Sequence, residues 1–190
     1  MALILHVVYK GRALSLAWRM RHSPKEHCPT AIHLAVVALR STLVPEGTKG
    51  VLLGDGECDG SDLQGMLHAV GWLYVCLMAM STTATWDGQT FRLDTLGACL
   101  KAGRLIEVKD VYCTRDAYGP IMVLCCGAKR YQEPLYVIST MAIAEEAYRL
   151  YQKRLRIETF FSDQKSRGCH IHKSQIANVQ RLSRLLIAAC

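Results

Sequence analysis

No stretch of this 190-residue sequence approaches the roughly 18 to 20 consecutive apolar residues that a membrane-crossing helix needs. No basic residue precedes the short apolar stretch within residues 1–8, and His6 interrupts it, so this segment does not read as a signal peptide. No Cys-x-x-Cys pair occurs among the nine cysteines, an odd number set mostly inside apolar runs. That pattern speaks against a disulfide framework, which belongs to shorter secreted chains, and for buried free thiols in a reducing cytoplasm. Internal repeats and low-complexity linkers are missing, so nothing marks the chain as an array or a string of tethered modules. Finally, no Asp precedes Asp55; the acids before it, Glu26 and Glu46, fall in a loop and past a helix end, off the strands.

What is present suits one domain with a full core: half the residues are apolar and 21% are charged. The formal charge of +7 is unevenly placed. Residues 145–190 hold nine Lys/Arg against four Asp/Glu, a basic quarter suited to a polyanion such as DNA, though solvated helix faces are often basic too.

The pattern along the chain alternates strands and helices. Residues 3–9 and 13–18 are apolar and β-rich, and Lys10-Gly11-Arg12 between them reads as a hairpin turn. A Pro/His-rich link leads to a helical pattern over 31–43 with Ile32, Val36, Leu39 and Leu43 on one side, stopped by Pro45 and Gly47. Val51-Leu52-Leu53 is a short continuous apolar run, as expected of a central strand buried on both faces. A helix over about 62–70 and a strand over 72–80 follow. Residues 82–140 read as a β-rich insertion, with an Asp87-Gly88 hairpin turn and strands at 105–111, 121–126 and 135–139. Residue 143 to about Lys165 is the longest helical pattern, and a last helix runs over 179–189. The order predicts an α/β domain with a mixed sheet.

Two constellations carry chemistry. Asp55 stands at the C-terminal end of a predicted strand, where ligand sites of open α/β sheets collect, and a carboxylate is a hard oxygen ligand suited to Mg²⁺. A plain turn or helix-capping Asp is the alternative. The run Asp55-x-Glu57-x-Asp59-Gly60 mimics the start of a calcium-binding loop, but Met66 stands where a bidentate Glu belongs, which excludes it. Cys169-His170-Ile171-His172 has no second ligand pair at zinc-finger spacing. The other constellation is Tyr151, Arg154, Glu158 and Lys165, which share a stripe roughly 60° wide at about 100° per residue. An Arg154–Glu158 ion pair at i, i+4 explains two of the four, and is worth about 0.3–0.5 kcal/mol.

Tyr151-x2-Arg154-x3-Glu158-x6-Lys165 resembles the Tyr-Arg-Glu-Lys signature of a large family of bacterial insertion-sequence transposases of the Asp-Asp-Glu class. The run from Tyr151 to Phe161 and the segment Lys165-Ser166-Arg167-Gly168 are similar to that family too, and the likeness covers nearly the whole chain. The resemblance implies an RNase H-like mixed sheet with flanking helices and a β-rich insertion before the Glu-bearing helix. It implies a site in which two Asp and one Glu hold two Mg²⁺ ions, with Asp55 as the second Asp and Glu158 as the Glu. Tyr151, Arg154 and Lys165 would contact phosphates of double-stranded transposon ends, with a homodimer as the assembly on DNA and a bacterial, cytoplasmic setting. Family members stack a flipped base on an aromatic from the β insertion; Tyr136 occupies the matching place, with Trp86 as the other choice and a core aromatic as the plain reading of either.

The sequence departs from the family pattern in two places. Cys58 stands where an aromatic is more common, and no Asp is present for the strand that should precede the 3–9 hairpin. The expectation is therefore a domain cut at both ends, lacking its first Asp and inactive, or alternatively a non-catalytic DNA-binding or inhibitory remnant.

Overall fold

The structure, a computed structural model, describes residues 2–20, 28–114, 116–127, 133–162, 173, 176 and 178–189. Along the chain these form β1 (Ala2–Tyr9), β2 (Arg12–Met20), α1 (Thr30–Ala38), α2 (Arg40–Leu43), β3 (Val51–Gly54), α3 (Ser61–Ala69) and β4 (Leu73–Leu77). Then come β5 (Thr83–Trp86), β6 (Gln89–Arg92), α4 (Asp94–Gly97), β7 (Leu105–Cys113), β8 (Tyr118–Cys126) and β9 (Leu135–Ser139). The helices α5 (Ala144–Lys153), α6 (Leu155–Ser162) and α7 (Val179–Ala189) complete the order. They group into two compact units, residues 1–48 with 153–190, and residues 49–152. No helix among the described residues is long and apolar enough to cross a membrane.

The 49–152 unit is built on a seven-stranded mixed sheet in the order β3-β4-β9-β8-β7-β5-β6. β3 and β4 pair in parallel across α3, and every other pairing is antiparallel. The reason lies in the connections: α3 carries the chain back to start β4 beside β3, whereas β5 and β6 are joined by two residues. Those two, Asp87 and Gly88, both have positive φ (48° and 71°), as a tight hairpin turn requires. β7 is bulged near Asp110 (φ 58°), where three residues of β7 span two of β8. Beyond Val111 the excess passes to β8, at the segment that holds Pro120.

The core sits around β8, whose residues from Ile121 to Cys126 are all buried. Alternation splits them between two faces. Met122, Leu124 and Cys126 pack with Val75, Val137, Met141, Ala144, Ala147 and Tyr151, the last three from α5. Cys125 pairs across the ladder with Tyr136 on the opposite face, where α4 packs on β8. Cys76, Cys125 and Cys126 are buried free thiols, as expected of cysteines inside apolar runs, and Cys113 is buried too.

In the other unit, β1 and β2 form a separate two-stranded sheet closed by Lys10 (φ 45°) and Gly11 (φ 78°). α1 packs on both strands and α6 on β2. The His6 ring meets Phe160 of α6 edge-on, with centroids 4.6 Å apart, and Trp18 Nε1 donates to Ser183 Oγ of α7 at 2.8 Å.

Three expectations change. The Val51–Leu53 run is no central strand: among the described residues β3 pairs with β4 alone, stands at the sheet edge and is only half-buried. The helix expected from 143 to about Lys165 is two helices broken at Arg154, because its halves serve different cores. α5 buries Ala144, Ala147 and Tyr151 against the seven-stranded sheet, while α6 packs on β2. The helix expected over 31–43 likewise divides at Leu39; of its expected stripe Val36 is buried, together with His33 and Val37, whereas Leu43 is exposed.

Leu124 is fully buried, so Leu124→Ala should cost about 2–5 kcal/mol by denaturant unfolding. A cost below about 1 kcal/mol would contradict the placement of the core. Burial also pushes the His6 imidazole down from 6.5 to about 4. As pH falls below 6.5, the unfolded chain takes up a proton that the folded chain refuses until about 4, so stability should decline across that window. His6→Phe should flatten the decline in urea midpoint between pH 6.5 and 5; an unchanged slope would place His6 outside the core.

Candidate functional site

The strand β3 ends at Gly54, and Asp55 follows as an exposed carboxylate. Its side chain does turn chemistry as well: Oδ1 accepts the Glu57 N–H at 3.1 Å, and its carbonyl accepts the Cys58 N–H at 3.0 Å. Why the strand ends in Gly is visible in the packing. A Cβ on Gly54 would collide with the Cys58 Cβ and lie 2.7 Å from Cys76 Sγ. The two thiols therefore press on the backbone immediately before Asp55, and only a residue without a side chain fits. Burial, then the nearby Asp55 carboxylate, pushes the Cys58 thiol up to about 12, so it stays protonated and acts as packing.

The loop beyond is acidic and held by side chains. Gln64 Nε2 donates to the Asp59 carbonyl at 3.0 Å, and Ser61 Oγ donates to Asp116 Oδ2 at 2.8 Å. Among the described residues no group of three or more His, Cys, Asp or Glu converges as a ready-made metal cage.

Glu158 lies on α6, in the other unit, and its exposed carboxylate accepts from Arg154 Nη1 at 2.9 Å. Arg154 sits in the break between α5 and α6, its own side chain mostly covered. The i, i+4 ion pair read from the sequence is thus present. The four-residue stripe on one continuous helix is not: Tyr151 belongs to α5 and is buried in the core of the 49–152 unit, whereas Glu158 rides on α6. Lys165 lies outside the described residues.

The two aromatics part company. Tyr136 is 4% exposed, its hydroxyl donates to the Asp94 carbonyl at 3.4 Å, and Gly97 lies so close that a Cβ there would strike that hydroxyl. Its surroundings match the core reading. Trp86, at the tip of the β5–β6 hairpin, is 50% exposed.

Charge also divides by unit, a signal invisible until the units are known. Residues 1–48 and 153–190 hold 14 Lys/Arg against 4 Asp/Glu, while residues 49–152 hold 9 against 12. All of the chain's positive excess therefore lies in the unit that carries Arg154 and Glu158.

Gly54→Ala should force Cys58 or Cys76 to move, at a cost of about 1–3 kcal/mol, and shift the amide resonances of Asp55 and Glu57. Unchanged stability and unchanged amides would show that the packing does not hold the Asp55 turn.

A family model described as the transposase DDE domain matches residues 1–190. No curated protein matches the chain.

Proposed function

This chain belongs to the transposase DDE domain family, and on that premise we propose that it acts on insertion-sequence ends. The mixed sheet with its helices is consistent with an RNase H-like transposase domain. The family acts on DNA, and the finer reading is hydrolysis of phosphodiesters followed by strand transfer. The observation that carries it is the pair of exposed carboxylates at the positions the family signature marks, Asp55 after β3 and Glu158 on α6 beside Arg154.

In this reading Asp55 and Glu158 are ligands of a pair of Mg²⁺ ions. Both donors fit: carboxylate oxygens are what Mg²⁺ takes from proteins, and both groups are open to solvent. When bound, the ions supply Lewis-acid polarisation of the scissile phosphate and neutralise charge during in-line displacement. Gly54 sets where the Asp55 turn begins. Arg154 pairs with Glu158 and presents a guanidinium to phosphate, a contact that positions DNA without reading its sequence. In this reading Lys165 and Tyr151 add further phosphate contacts, as the family signature implies. Exposure supports Trp86 over Tyr136 as the surface on which a base stacks. Two chains on paired ends form the working assembly.

A second reading rests on the carboxylate inventory. With no Asp before Asp55, these residues supply two of the family's three carboxylates, which favours DNA binding without cutting by the 190 residues alone. Mixed-sequence duplex should therefore bind, and Arg154→Ala should lower the slope of log affinity against log salt by about one unit. End-labelled plasmid DNA incubated with Mg²⁺ or Mn²⁺ should stay uncut. Metal-dependent cutting that Glu158→Gln abolishes would overturn the two-carboxylate argument, and an unchanged salt slope would remove Arg154 from the interface.

A further inference from the structure

Toward its turn the β1–β2 hairpin has one face against the helices and one exposed. Ala13 is buried on the inner side, which it shares with Val8 and His6, and the His6 ring meets Phe160 of α6 there. On the outer side Val7 faces Leu14 and Tyr9 faces Arg12, because cross-strand partners share a face and alternate residues repeat it. Val7 is 41% exposed, Leu14 43% and Tyr9 56%. Lys10 and Gly11 close the turn with both φ positive, a conformation that leaves little freedom at the tip. Lys10 Nζ lies 5.4 Å from the centre of the Tyr9 ring. Among the described residues neither Lys10 nor Arg12 forms an ion pair with a carboxylate.

We propose that the tip of this hairpin is a second DNA-contacting element, separate from the α6 signature residues, which seats its outer face against a duplex. This rests on the reading that the chain binds DNA. Three observations select duplex DNA as the occupant. The unit bearing the hairpin carries the chain's whole positive excess, complementary to a phosphate backbone. A two-stranded ribbon is narrow enough for the major groove, about 12 Å wide. The exposed residues mix cations with an aromatic and two aliphatic side chains, so the cations meet phosphates while Tyr9, Val7 and Leu14 cover sugar and base edges. An anionic membrane would also attract the cations, but three apolar side chains on a two-stranded sheet offer little surface to bury there.

The test uses the variant Lys10→Asn with Arg12→Gln. Asn-Gly is the preferred pair for a turn with two positive φ values, so charge is removed while the turn is kept. Binding of a fluorescent mixed-sequence duplex is followed by anisotropy across a salt series, beside vesicles containing phosphatidylserine. The double variant should bind DNA with a log affinity–log salt slope smaller by about two units, and its thermal midpoint should match the parent's. Tyr9→Ala should weaken binding about 3- to 10-fold with the slope unchanged. If the parent and an Arg154→Ala control bind DNA as expected while the double variant keeps parental affinity and slope, the hairpin proposal is overturned and the transposase reading stands. If the parent binds no duplex at all, both fall. Loss of vesicle binding without loss of DNA binding would assign the tip to membranes and overturn it as well.

Discussion

The burial of β8 on both faces is the constraint from which the 49–152 unit follows. A strand with six consecutive buried residues needs a partner on each edge and cover above and below. β7 and β9 supply the edges, α5 one cover and the α4 side the other. β9 then carries β4, and β4 carries β3, so the Asp55 turn is held at the end of a chain of pairings that starts in the middle of the sheet. Its last link is the contact of Gly54 with Cys58 and Cys76, two thiols that serve as packing and not as nucleophiles.

The other unit answers to a different core, made by the hairpin and the helices on it, and the consequence appears at Arg154. A helix whose two halves must each bury a face against a separate core has no reason to keep one phase, and it breaks where the demands change. The break leaves Arg154 beside Glu158 within one compact unit, and Tyr151 committed to the other. That unit also carries the positive charge, so Arg154, proposed to meet phosphate, belongs to the basic unit.

Local chemistry was readable where local rules decide. Asp87-Gly88 and Lys10-Gly11 announced their turns, because few residue pairs accept two positive φ values in succession. The span of β9 was readable from its apolar run. Position in the sheet was not, since Val51-Leu52-Leu53 is equally apolar whether a strand is central or at an edge, and only pairing separates the two. The Tyr151–Lys165 stripe presumed one continuous helix, and helical phase cannot reveal that two cores compete for it. Around the candidate site the Arg154–Glu158 pair was legible, whereas the burial of Tyr136 and the sorting of charge between units needed the fold.

The proposed function makes Asp55 and Glu158 ligands of one divalent-metal site. The direct measurement is a Mn²⁺ titration followed by the paramagnetic resonance signal of free ion, on the parent, Asp55→Asn, Glu158→Gln and the double variant. Ligands of a shared site should be coupled, so each single change should weaken binding and the second change should add less than it does alone. Unchanged affinity in either single variant, or strictly additive losses in the double, would contradict the account.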